Sequence, residues 1–174
     1  MNRVFAFIFA GAAAASAGCV TTGATPRPFP TPTTVPAARG PARPAPGAVS
    51  GHAAGYSVAG TALSLRGAPY RNGGSDPAGF DCSGFVEYVY GQNGIAVPRT
   101  VTAQYRAGRH VAGGQVEPGD LVFFTTVSRG ASHVGIAIGG DEFVHAPSGS
   151  GEVRVERMSA SYWARRFVGA RRVL

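Results

Sequence analysis

The sequence contains no lysine: all 16 of its positive residues are arginine, against 9 acidic residues, none of which precedes Asp76. Cysteine is almost missing too, with two in 174 residues. Two thiols exclude a fold stapled by several disulfides, and no C-x-x-C or H-x-x-x-H pair offers the usual spacing of a zinc site. The formal net charge of +7 is spread along the chain, with no basic block and no motif of interleaved aromatics. That distribution points away from nucleic acid and toward anionic surroundings, such as a cell-wall polymer or a membrane surface. Hydrophobic residues make up 44% of the chain, enough for one domain with a real core.

What is present at the start is an export segment. "MNR" gives a short positive region, "VFAFIFAGAAAA" an apolar run too short to span a bilayer comfortably, and "SAGCV" a zone of small residues. Residues 1–18 therefore read as a signal peptide. Ser16-Ala17-Gly18-Cys19 resembles a bacterial lipobox, which makes Cys19 the expected lipidated first residue and the lipid the membrane contact; Ser16 stands where a branched aliphatic residue is usual. The competing cleavage lies after Ala17, at an Ala-x-Ala site. Eight of the 13 prolines fall between Val20 and Ser50. Proline prevents both helix and sheet ladders, so residues 19–54 read as a lipidated cysteine followed by a disordered tether. About thirty residues of polyproline-like chain reach on the order of 90 Å.

The folded domain is expected over residues 55–174. "YSVAGTALSLRG" carries Val58, Ala62 and Leu65 at helical spacing and ends at Gly67; "CSGFVEYVYGQNG" sets Phe85, Val86, Val89 and Tyr90 on one helical face; a third short helix starts at Thr100. Thereafter "DLVFFTTV", "HVGIAIG", "EFVHAPS", "EVRVERM" and "FVGARRVL" are short β-rich runs, interrupted by "SASYWARR" as a helical turn. Helices first and strands afterwards indicate an α+β domain, helices packed on a mostly antiparallel sheet.

Cys82 follows Asp81, a favoured N-cap, and so opens a helix. Unpaired N–H groups and the helix dipole there favour a negative charge, which predicts a stabilised thiolate that alkylates well below pH 8, and donors for a developing oxyanion. The bland reading is a small buried hydrophobe. A pair of histidines favours the first. His133 and His145 lie on consecutive strand patterns joined by "GGDE", and pairing Ile138 with Glu142 sets His133 diagonal to His145 on one face, about 7–8 Å apart by backbone position. A thiol, a base and a polar group holding the base form a nucleophile–base–orienter set. Zinc on Cys82, His133 and His145 is the rival, without supporting spacing. His52, in a linker, and His110, in a Gly-rich loop, read as structural.

The blocks "GAPYRNGGSDPAGFDCSGFVEYVY", "VPRT", "EPGDLVFF", "SHVGIAIG", "EFVHAPSGSG" and "SYWARRFVGARRVL" resemble the NlpC/P60 family of cell-wall peptidases, and within it the small outer-membrane murein endopeptidase lipoproteins of Gram-negative bacteria. The resemblance implies a papain-like fold and a cofactor-free cysteine peptidase acting on peptidoglycan, working as a monomer at the outer membrane facing the periplasm, or free in the periplasm or secreted. It matches Cys82 to the nucleophile, His133 to the base, His145 to its orienter and Tyr70 to an oxyanion-side hydroxyl. Asp81 and Ser83 would touch substrate, or serve as cap and first-turn residue. Arg99 reads as a solvated loop arginine, and Asp120 as a turn-fixing residue. Two bonds stay open: the D-alanyl–diaminopimelate cross-link and the γ-D-glutamyl–diaminopimelate bond of a stem. A murein-binding lipoprotein without activity, or a transferase using the same triad, are the alternatives.

Overall fold

A computed structural model describes residues 51–174; residues 1–50, on which the expectations of a signal peptide, a lipidated Cys19 and a tether fall, lie outside the described residues. Helix α1 spans Gly51–Ser64 and buries Val58, Ala59 and Ala62. It starts four residues before the expected domain start at Gly55 and stops before Leu65, so His52 lies on a helix and not in a linker. Helix α2 spans Cys82–Gln92, with Phe85, Val86, Val89 and Tyr90 fully buried on the face that the periodicity gives. Each such side chain contributes about 1.5–3 kcal/mol relative to exposure. Helix α3, Val101–Arg106, is capped by Thr100, whose hydroxyl accepts from Ala103 N–H.

The sheet has six strands, all paired antiparallel. In chain order they follow a two-residue ladder of β1 (Ser75–Asp76) and β2 (Gly79–Phe80). They are β3 (Arg109–Val111), β4 (Leu121–Phe124), β5 (His133–Gly139), β6 (Glu142–His145), β7 (Arg154–Arg157) and β8 (Phe167–Arg172). The spatial order is β3-β8-β4-β5-β6-β7. Strand β3 carries His110, expected in a loop; three residues of "RHV" are too few to display a period of two. A one-turn helix α4, Ser161–Ala164, sits where "SASYWARR" breaks the strand pattern.

Period two divides the core. Leu121, Phe123, Val134, Ile136 and Val144 pack with α1 and α2 on one side. Val122, Phe124, Ala137, Phe143 and Trp163 form a second cluster on the other. Tyr90 O–H donates to the Gly119 carbonyl, tying α2 to the turn before β4. In that turn Asp120 accepts from Glu117 N–H at 2.8 Å, the expected turn contact, and fully buried it also takes a two-pronged ion pair from Arg172, at 2.6 and 2.7 Å. No described helix is long and apolar enough to cross a membrane.

Candidate active site

Asp81 caps α2 through its carboxylate, which accepts from Gly84 N–H at 2.7 Å, while its carbonyl accepts from Phe85 N–H at 2.9 Å. The N–H groups of Cys82 and Ser83 are left at the open end of the helix, and both pull the Cys82 thiol pKa down. A third donor is Val134 N–H on β5, which sets the half-buried thiol against the strand residue that follows His133. These donors are outweighed. Burial first, then the charge of Asp81, hold the thiol above its ordinary value, so the expected low-pKa thiolate is corrected to a thiol that rests protonated.

Gly84 is where α2 meets the preceding loop. A Cβ there would lie 2.0 Å from the Gly74 carbonyl oxygen, so no larger residue fits without moving the first turn.

Arg99 corrects another expectation. It is not a solvated loop arginine: it donates to both carboxylate oxygens of Asp81, at 3.0 and 2.6 Å, and to Ser83 Oγ at 2.9 Å. Its Nε lies 3.6 Å from Glu87. The guanidinium therefore holds Asp81 below the ordinary carboxylate range against its burial, with Gly84 N–H and Ser83 assisting. The Asp81 and Ser83 side chains are engaged with each other and with Arg99. Tyr70 is half-buried beside them. Its pKa is raised by burial and then by the charges of Cys82 and Asp81, which puts the hydroxyl in electrostatic range of both. Gln104, which no sequence pattern marked, is fully buried and donates to the carbonyls of Ser83 and Pro98, bracing the first turn of α2.

The two histidines meet as the shared strand face requires. His133 Nε2 and His145 Nδ1 are 2.7 Å apart, with rings nearly perpendicular. The register differs only at the turn: Ile136 pairs with Val144 and Ala137 with Phe143 as expected, but a bulge makes Gly139, not Ile138, the partner of Glu142. Gly135 lets the strands approach, since a Cβ there would lie 3.1 Å from His145 Cβ and 2.6 Å from Phe143. Burial pushes His133 down to about 4 and His145 further, so both rest neutral. Trp163 covers the pair, stacked on His133 and edge-on to His145. Its indole N–H donates to Glu156. Sequence reasoning missed Trp163 and Glu156, whose relevance arises only from the fold of α4 and β7 against β6.

A cleft of about 390 Å³ opens beside His133, lined also by Thr126, Val127, Ser148, Glu156 and Tyr162. Cys82, His133 and His145 do not form a metal-holding cluster, and no group of three His, Cys, Asp or Glu among the described residues does.

The sequence pattern of the NlpC/P60 family matches residues 67–172. The chain is 44% identical over 113 residues to murein DD-endopeptidase MepH of Escherichia coli K12, covering 62% of this chain and 42% of that one. It is 43% identical over 110 residues to the murein DD-endopeptidase MepS/murein LD-carboxypeptidase of the same organism, covering 63% and 57%. It thus spans about half the length of these relatives. A crystal structure of an NlpC/P60 family protein from Bacillus cereus superimposes with a TM-score of 0.65 at 32% identity, covering 69% of this chain and 40% of that one. With the family pattern running through more than half of its length and the fold shared, this chain belongs to the NlpC/P60 family.

Proposed function

We propose that the chain is an exported murein endopeptidase of the cysteine type, with Cys82 as nucleophile, His133 as base and His145 as its orienter. The observation that carries this reading is the 2.7 Å contact between His133 Nε2 and His145 Nδ1, on the strand whose next residue, Val134, donates its N–H to a thiol at a capped helix start. With Nε2 engaged, His133 Nδ1 is the nitrogen left for the thiol proton. Because Cys82 and His133 both rest neutral, the reaction begins as general-base catalysis. His133 takes the proton as the sulfur attacks the scissile carbonyl. The N–H groups at the start of α2 and the Tyr70 hydroxyl receive the oxyanion. His133 returns the proton to the departing amine, leaving an acyl-enzyme; water, deprotonated by the same imidazole, then releases the acid and restores the thiol.

The relatives named murein DD-endopeptidases favour the D-alanyl–diaminopimelate cross-link over the γ-D-glutamyl bond as the substrate. The export segment and Cys19 support placement outside the cytoplasm as an outer-membrane lipoprotein, the Pro-rich stretch giving reach toward the wall. The test is mass spectrometry of purified cross-linked muropeptides after incubation with the protein. Conversion of dimers to monomers is expected, and none with Cys82→Ala. Equal conversion by Cys82→Ala would end the thiol mechanism; cleavage within the stem with dimers left linked would end the cross-link assignment.

A further inference from the structure

His145 is fully buried, and its Nε2 has no hydrogen-bond partner. What faces that nitrogen is Glu156, with Oε1 at 3.8 Å. The β6–β7 register sets this up. His145 pairs with Arg154 and Phe143 with Glu156, so the carboxylate reaches His145 diagonally on the shared face. Trp163 N–H fixes Oε2, and Arg154 Nε lies 3.3 Å from Oε1, which leaves Oε1 aimed between Arg154 and His145.

We propose that Glu156 is a positioning residue that sets the tautomer of both histidines; the proposal rests on the thiol-peptidase reading above. Neutral imidazoles joined through His133 Nε2 and His145 Nδ1 have two states. In one, His133 Nε2–H donates, His145 carries its proton on Nε2, and His133 Nδ1 keeps a lone pair able to accept the thiol proton. In the other, His145 Nδ1–H donates, the only hydrogen of His133 sits on Nδ1, and the base is disabled. A carboxylate at 3.8 Å from His145 Nε2 attracts an N–H there and repels a lone pair. It therefore selects the first state, and it does so from outside the reacting atoms. The Arg154 guanidinium, directly across from His145, works against protonation of both nitrogens at once, so the carboxylate biases the tautomer without creating an imidazolium.

The test uses the full chain in four forms: wild type, Glu156→Ala, Glu156→Gln and Cys82→Ala. Nitrogen-15 NMR of labelled histidines should show His145 and His133 both protonated on Nε2 in the wild type, with a shift toward the Nδ1–H forms in both Glu156 variants. On cross-linked muropeptides Glu156→Ala should lower kcat by about tenfold at unchanged KM, the lower end of what orienting partners of an imidazole contribute. Glu156→Gln should be worse than Glu156→Ala, because an amide whose oxygen accepts from Trp163 turns its NH₂ toward His145 Nε2 and stabilises the disabled state. A purely packing role predicts the opposite order, since Gln is the closer isostere. The inference is overturned by Gln retaining more activity than Ala, by a change confined to KM, or by His145 tautomers that do not respond to either variant. Activity remaining in Cys82→Ala would instead overturn the thiol reading, while the NMR result would still judge the role of Glu156.

Discussion

Arg99 shows how one side chain acts on the Cys82 thiol without a hydrogen bond to it. Its two-pronged pair with Asp81 offsets a negative charge that otherwise raises the Cys82 thiol, and its own charge interacts favourably with the thiolate. Arg99→Ala leaves the Asp81 charge beside the thiol uncompensated. Cys82 alkylation by iodoacetamide should therefore have its pH midpoint above the ordinary thiol value of 9.0 in the wild type, and higher still in Arg99→Ala. A wild-type midpoint below pH 8 would mean that the resting protein holds a thiolate–imidazolium pair. Arg99 is about a third exposed, so solvent screens the pair, and its loss should remove only about 1–2 kcal/mol of stability, read from denaturant midpoints. Arg99→Lys should not restore the wild-type profile, because an ammonium cannot span both carboxylate oxygens and Ser83.

At the scale of elements, the glycines of α2 separate a packing demand from helix propensity. A Cβ on Gly84 meets the Gly74 carbonyl oxygen at 2.0 Å, whereas one on Gly91 meets nothing within 4 Å. Gly84→Ala should displace the first turn of α2 and cost about 1–3 kcal/mol together with most of the activity. Gly91→Ala should gain about 0.5–1 kcal/mol and leave activity alone. Chemical denaturation of both variants checks the pair of signs; a stable, active Gly84→Ala would show that the loop before α2 yields freely. The same elements explain what the sequence made legible. Helix α2 was readable from the spacing of Phe85, Val86, Val89 and Tyr90 with Asp81 as cap, because cap and periodicity are local. The histidine pairing followed from period two through a short turn, and only the Gly139 bulge, a detail of turn geometry, lay beyond it. Arg99 was misread because a basic residue after proline in a loop has no local signal for a partner 18 residues earlier. Glu156 and Trp163 were missed for a related reason: Glu156 is on the exposed-looking run "RVER", and neither residue points to His145 until β6, β7 and α4 are assembled.

For the whole molecule, the buried histidines make acid the vulnerable side. His133 is 7% exposed and His145 fully buried, and burial holds His133 at about 4 against an ordinary 6.5. A group whose folded pKa is depressed in this way leaves the unfolded chain binding more protons through the interval between the two values. Stability therefore rises with pH there. The contribution is complete above about pH 6.5 and falls as pH drops toward about 4, amounting to about 3 kcal/mol for His133 alone over that interval. His145 is shifted in the same direction, by burial first and then by the charges of a protonated His133 and of Arg154, and adds to the loss. Most carboxylates titrate below pH 5, so the window from pH 6.5 to 5 isolates the histidines. Guanidinium denaturation of the full chain across that window should show a steady loss of stability in the wild type. The double variant His133→Asn, His145→Asn should give a much flatter profile, whatever its absolute stability, because asparagine has no proton to gain. An equally steep profile in the double variant would place the acid sensitivity elsewhere in the molecule.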